Sequence, residues 1–365
     1  MNITRPGGLA VLALAGALTL ASCAANEGGT GTPTDSTLEG TLSGVGASSQ
    51  GSAQEGLIAA FQTANPGVTI NYSPDGSGAG REAFLGGGAD FAGSDRAFTP
   101  DELAGSEFAA CAPDSGVVEV PLYISPIAVV FNLDGVSELN LDAATIADIF
   151  DGGIATWDDP AIAALNEGVT LPSATINPVH RADDSGTQEN FTAYLAEAAG
   201  GAWEFEADGE WPAELGGEGA SGTSGVVSAV EAGSGSIGFI DASRVTDRMG
   251  VVSVAVGDAF VAPSAEGAAA AVDASPLESG REPFDLAVEL ERTTDAAGAY
   301  PIALVSYLVA CEVYTDPAKA ELVKAYLSFV ASEEGQRVSA GSAGSAPISA
   351  TLREQVEAAL EAISS

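Results

Sequence analysis

The sequence predicts an α/β protein of two domains, each a sheet flanked by helices, and three observations carry that expectation. From residue 38 onward short β-like runs alternate with helical patterns, the grammar of a parallel or mixed sheet covered by helices. The 365 residues exceed one ordinary domain and suit two of about 150 residues each. With 46% hydrophobic and 17% charged residues, the chain has ample material for a core and is not of disordered composition.

Taken in order, residues 1–22 read as an export signal: a positive charge at Arg5, an apolar stretch from Leu9 to Leu20, then Leu20-Ala21-Ser22 before Cys23. The apolar run is shorter than the roughly 20 residues of a membrane span. The small residues before Cys23 resemble the bacterial lipoprotein cleavage box, whose cysteine becomes the lipidated first residue. Residues 23–37, rich in Gly, Thr, Ser and Asn, read as a flexible tether.

The alternation Val68, Ile70, Tyr72 marks a strand before Gly76-Ser77-Gly78, after which Arg81 to Leu85 opens a helix. A second strand, Asp90 to Gly93, runs into Ser94-Asp95. Thr99-Pro100-Asp101-Glu102 then supplies an N-cap, a first-position proline and acidic residues for the first turn of a helix. Further strands are expected at 117–120, 127–132, 176–179 and 236–240, and a strong one at 302–310. Asp316-Pro317 starts a helix with Leu322, Val323, Tyr326 and Leu327 on one face.

No low-complexity linker divides the chain after residue 40, so the domains are expected to be joined by crossing strands, around 120–127 and 292–301. The first domain is then discontinuous, residues 38–123 plus 297–365, and the second spans 124–296. Cys111 and Cys311 are expected to pair in an exported chain, two buried thiols being the alternative.

The charge balance, 12 Lys+Arg against 51 Asp+Glu for a net of −39, excludes nucleic-acid binding. Only Lys319 and Lys324 are lysines, and no basic run exists to neutralise a phosphate backbone or an anionic membrane.

Small hydroxyl and glycine residues recur where a strand ends and a helix begins: Ser48 and Ser49 in "GVGASSQ", Ser77 in "DGSGAG", and Ser185, Gly186 and Thr187 in "RADDSGTQENF". Each helix start offers unpaired N–H groups and a positive dipole end, so several converging would cage an oxyanion. Plain capping is the alternative for each alone. Arg181, four residues before Ser185, reads either as a fork for the same oxyanion or as a surface ion pair. Asp95 stands at a strand end, where a carboxylate repels an anion unless the anion carries a proton for it to accept.

At these residues the chain resembles the phosphate-binding proteins of bacterial high-affinity phosphate ABC importers, the PstS family. Four matches occur in that family's order: "LSGVGASS" at 42–49, "NYSPDGSGAG" at 71–80, "DFAGSD" at 90–95, and Arg181 with "SGT" at 185–187. The resemblance implies a two-lobed periplasmic-binding-protein fold of type II-like organisation, each lobe a mixed sheet flanked by helices, joined by two hinge crossings. It implies phosphate held between the lobes by Ser48, Ser49, Ser77, Arg181, Ser185, Gly186 and Thr187, with Asp95 accepting the phosphate's proton and Asp183 beside the guanidinium. It further implies a membrane permease as partner, lipid anchoring through Cys23 at the outer face of the cell membrane, a monomer, and no cofactor. Ser49 stands where some members have an aromatic residue, and His180 has no assigned role.

Three rivals remain at this level, one of them a surface-exposed phosphate sensor or adhesin that keeps the fold and works apart from a permease. An exported serine hydrolase would need a base, and His180 is the only histidine; no G-x-S-x-G elbow, phosphate-binding G-x-x-x-x-G-K-[ST] loop or metal-ligand cluster occurs. A binder of sulfate, molybdate or a phosphonate on the same fold is nearer, and Asp95 argues against proton-free anions.

Overall fold

The computed structural model describes residues 37–365; the export signal, Cys23 and nearly all of the tether lie outside the described residues. The chain order is β1 (Glu39–Gly46), α1 (Gly51–Ala64), β2 (Gly67–Ser73), α2 (Ser77–Leu85), β3 (Phe91–Ser94), α3 (Pro100–Gly105) and β4 (Val117–Phe131). There follow β5 (Glu138–Leu141), α4 (Ala143–Phe150), α5 (Pro160–Leu165), β6 (Asn177–Arg181), α6 (Gly186–Ala198), β7 (Glu218–Ala220), α7 (Gly222–Ala232) and β8 (Ser236–Asp241). The last part comprises β9 (Gly250–Val256), β10 (Ala259–Val261), α8 (Ala265–Asp273), β11 (Ala303–Cys311), α9 (Pro317–Ala331), α10 (Glu333–Ala343) and α11 (Ala350–Glu361).

Two mixed sheets share one strand. The first has the order β2-β1-β3-β11-β4, with β1, β2 and β3 parallel and β11 antiparallel to both neighbours. In the second, β4 pairs antiparallel with β8, which runs parallel to β6, and β6 parallel to β7. β9 joins the side of β4 and carries β5 and β10.

β4 corrects the sequence reading, which divided 117–120 from 127–132. It is one strand of 15 residues, all buried, although it contains Pro121 and Pro126. A proline cannot donate to a ladder, so it is tolerated only where the ladder is broken. Both prolines fall where the ladder is already interrupted. Pro121 lies at the register shift between Ser306 and Tyr307 of β11, and Pro126 is the last residue paired to β11 before Ile127 takes Asp241 of β8 as its partner.

The local signals act as expected elsewhere. Thr99 and Glu102 form a reciprocal capping box over α3, and the Asp316 carboxylate caps α9 by accepting from Ala318 N–H at 2.9 Å. Phe61, Phe91 and Tyr326 pack ring to ring under the first sheet. Phe191 stacks on Phe239 at 4.2 Å and meets Phe150 at 4.9 Å, seating α6 on the second sheet.

Cys111 and Cys311 are joined in a disulfide across 200 residues, tying the segment after α3 to the end of β11. Closing so long a loop restricts the unfolded chain, so replacing both cysteines with serine is expected to cost about 2–5 kcal/mol. Denaturant titration checks this; an unchanged midpoint would contradict it.

Candidate functional site

In a parallel sheet every strand-to-helix turn opens at the same edge, so turns distant in sequence become neighbours. Here the turn after β1 carries Ser48 and Ser49, the turn after β2 carries Gly76 and Ser77, and the end of β3 carries Asp95. The turn after β6 carries Arg181, Asp183 and Ser185, and the turn after β7 leads into Thr223. The first three belong to the first sheet and the last two to the second.

These residues close a ring of contacts. Ser48 Oγ lies 2.9 Å from Thr223 Oγ1 and accepts from Thr223 N–H at 3.1 Å. Beside Thr223, Gly222 N–H donates to Asp183 Oδ1 at 2.9 Å, and Asp183 takes a two-pronged grip on Arg181, with Nε donating to Oδ1 at 2.8 Å and Nη2 donating to Oδ2. Gly76 lies against this pair: a side chain there would put Cβ 2.7 Å from Asp183 Oδ2 and 3.7 Å from Arg181 Nη2, and its φ of +110° favours glycine independently. The next residue, Ser77, accepts from Asp95 N–H at 3.1 Å. Asp95 completes the circuit, Oδ1 accepting from Ser49 Oγ at 2.6 Å and Oδ2 from Thr187 Oγ1 at 2.9 Å.

The start of α6 lies directly over Asp95. A Cβ on Gly186 would come within 2.6 Å of Asp95 Cβ and 2.8 Å of Ser77 Oγ, so only glycine allows the approach. Ser185 caps the helix by accepting from Gln188 N–H at 3.2 Å, and the first i→i−4 bond runs from Glu189 N–H to Ser185 O. The N–H groups of Gly186 and Thr187 precede that bond, which leaves them for an external acceptor.

The electrostatics are unlike those of a simple cationic pocket. Arg181 and Asp183 cancel, and Asp95 adds a negative charge, so attraction for an anion comes from helix N-termini, hydroxyls and the guanidinium at short range. Arg181 is 3% exposed and Asp95 also 3%. Burial raises the Asp95 carboxyl above the ordinary carboxylate range, although hydroxyl bonds from Ser306, Ser49 and Thr187 and the charge of Arg181 oppose the rise. Asp183 is held below that range, because its bonds to Arg181 outweigh the effect of its burial.

The ring of contacts thus takes in Ser48, Ser49, Ser77, Asp95, Arg181, Thr187 and Asp183, with Ser185 and Gly186 brought beside it at the start of α6. Sequence reasoning missed four contributors: Thr223, Gly76, Ser306 and the Arg81–Asp184 pair. Arg81 is 4% exposed; its Nη1 donates to Ser94 Oγ at 3.0 Å and its Nη2 to Asp184 Oδ2 at 3.2 Å, linking the two sheets beside the ring. Ser306 Oγ donates to Asp95 Oδ1 at 2.6 Å from the register shift in β11, a place without a local signature. "SGTSG" at 221–225 repeats the hydroxyl-and-glycine pattern and would have identified Thr223. His180 stacks on Trp211 at 4.8 Å, and its Nδ1 meets Arg181 O at 2.9 Å. Its role is packing behind the arginine.

Fold and site together define a solute-binding protein, and a family model described as a PBP superfamily domain matches residues 31–334. The chain is 34% identical to phosphate-binding protein PstS 3 of Mycobacterium tuberculosis (strain ATCC 25618 / H37Rv), over 100% of both chains. It is 36% identical to PstS 3 of Mycobacterium leprae (strain TN), over 88% of this chain and 87% of that one. The chain belongs to the PstS family of phosphate-binding proteins. Among solved structures, a high-affinity periplasmic phosphate-binding protein bound with phosphate superposes with a TM-score of 0.70 at 22% identity, over 87% of this chain and 93% of that one. A phosphate-binding protein from Stenotrophomonas maltophilia gives 0.69 at 22%, over 88% and 94%. These likenesses show the two-lobed fold that the sequence led us to expect.

Proposed function

We propose that this chain captures inorganic phosphate between its two sheets and delivers it to the permease of an ABC importer. The observation that carries this reading is Asp95, an acceptor-only carboxylate buried inside a ring of donors that includes Arg181. Ser48, Ser49, Ser77, Arg181, Ser185, Gly186 and Thr187 surround the anion, Asp183 aims the guanidinium, and Asp95 takes the proton that hydrogen phosphate carries. Fully ionised sulfate has no proton to offer, and a facing pair of acceptors in a dry site costs about 1–3 kcal/mol, more where both are charged.

The two lobes in this reading are residues 38–123 plus 297–365 and residues 124–296. The exchange of partners along β4, from β11 up to Pro126 to β8 from Ile127, supports a crossing there. Segment 284–288 reaches back to the first sheet, where Glu119 N–H donates to Phe284 O at 3.0 Å and Leu286 N–H to Glu119 O at 2.9 Å. The protein works as a monomer, tethered outside the cell membrane by lipid on Cys23, and catalyses no reaction. Among the described residues no helix is long and apolar enough to cross a membrane. A hydrolase reading is disfavoured by His180, whose ring is occupied by Trp211 and a backbone carbonyl.

Calorimetric titration of protein stripped of anion by unfolding and refolding tests the reading. Phosphate and arsenate, which share the proton, are expected to bind, and sulfate to fail. Equal binding of sulfate would point to a different oxyanion.

A further inference from the structure

Behind Asp95 a file of side chains runs away from the cleft into the helices of the first sheet. Ser306 Oγ donates to Asp95 Oδ1 at 2.6 Å, Gln50 Nε2 to Ser306 Oγ at 2.6 Å, Gln54 Nε2 to Gln50 Oε1 at 2.9 Å, and Tyr326 Oη to Gln54 Oε1 at 2.5 Å. All five residues are buried, none more than 3% exposed.

The direction of this file is fixed by chemistry. Gln50 Nε2 also lies 3.1 Å from Tyr307 O, and a backbone carbonyl only accepts, so the nitrogen of Gln50 must face β11 and its oxygen must face Gln54. Gln54 then presents its nitrogen to Gln50 and its oxygen to Tyr326, whose phenol donates. Ser306 is left accepting from Gln50, with its own proton free for Asp95 or for the more distant Ser94 O at 3.3 Å. We infer that Tyr326, Gln54, Gln50 and Ser306 form a one-way hydrogen-bond relay that keeps Asp95 an acceptor, so that anion selectivity is set in part by positioning residues rooted in the helix layer.

The inference deepens the phosphate reading and rests on it for its meaning, though the relay itself can be tested apart from it. The charged and titratable groups around Asp95 are Arg181 from β6 and Tyr72 from β2. On the other side, Asp95 lines a cavity of about 300 Å³ together with Arg96, Glu189 and Arg292. None of these belongs to the relay. The cavity beside Gln50 and Gln54 is only about 10 Å³, room for a single water at most, and Leu in place of Gln keeps that space filled.

The test uses Gln50→Leu, Gln54→Leu and Tyr326→Phe in the purified protein, with two readouts. The first needs no ligand: the infrared carbonyl band of protonated Asp95, assigned by its loss in Asp95→Asn, is followed against pH. Gln50→Leu takes away the amide that polarises the Ser306 hydroxyl and fixes its orientation, so the Ser306 bond to Asp95 weakens; a weaker donor to a carboxylate favours its protonated form, and the band is expected to appear up to about one pH unit higher than in the wild type. The shifts should diminish in the order Gln50, Gln54, Tyr326. The second readout is anion affinity at pH 5 and pH 8: sulfate binding at pH 5 is expected to rise about tenfold in Gln50→Leu while phosphate binding at pH 8 changes little. If Gln50→Leu fails to fold, Tyr326→Phe, which removes one oxygen atom, carries the test. Unshifted bands in folded variants would overturn the relay alone, whereas a shifted band in protein that binds no phosphate would overturn the phosphate reading and leave the relay standing.

Discussion

Arg181→Gln is expected to weaken phosphate binding by more than a hundredfold. The guanidinium is the one cation in the ring, and Asp183 holds its plane by a two-pronged bond, so it meets an anion without further ordering. Truncating one partner of a buried, hydrogen-bonded charge pair costs about 2–5 kcal/mol, much of it from the partner left unpaired. The anion would be that partner, and Asp183, left without its cation, would add repulsion. The Asp183 carboxyl, held below the ordinary range chiefly through Arg181, would revert upward in the variant, so the loss should deepen as pH rises through its new value and Asp183 becomes ionised and unopposed. Arg181→Lys restores charge without the fork and is expected to recover only part of the affinity. Calorimetry of the three proteins checks this; binding within threefold of the wild type in Arg181→Gln would show that the anion does not sit at this guanidinium.

Asp95→Asn should reduce the preference for phosphate over sulfate by at least a hundredfold. An amide offers a donor where the carboxylate offers only acceptors, so the repulsion that excludes sulfate disappears, a change of about 3 kcal/mol in the difference between the two anions. The pH dependence has a definite sign. Because burial raises the Asp95 carboxyl, the folded protein holds this proton more tightly than the unfolded chain does. The resulting contribution to stability is present below the ordinary carboxylate value and is lost as pH rises through the raised one. The asparagine variant avoids that loss, and its melting temperature is expected to equal or exceed that of the wild type at pH 8. In the wild type, phosphate affinity falls as pH drops through the raised value, since a protonated Asp95 no longer accepts. A variant that still rejected sulfate would remove Asp95 from the account of selectivity.

Much of this was legible in the sequence because the relevant signals are local. A hydroxyl or glycine at a strand-to-helix turn has a role fixed within a few residues, and a parallel sheet then brings such turns together without further instruction. Ser48, Ser77 and Ser185 were visible for that reason. Ser306 was not: its place beside Asp95 depends on which strand β11 pairs with and on a register shift opposite Pro121, both set at long range. β4 was expected as two strands with a crossing around 120–127, and the rule against proline in a ladder does not reveal where a ladder is already broken, as it is at Pro121 and Pro126. Gln50, the N-cap of α1, and Gln54 within it carry no local signal; only the fold shows that they face inward and form a file to Asp95.

The most direct test of the account is a crystal structure of the protein grown with phosphate. The anion is expected inside the ring, one oxygen paired to the Arg181 fork, others on the N–H groups at the start of α6, and the protonated oxygen within about 2.7 Å of an Asp95 carboxylate oxygen. Phosphate found instead in the arginine-lined cavity beside Arg96 and Arg292, with the ring unliganded, would contradict it.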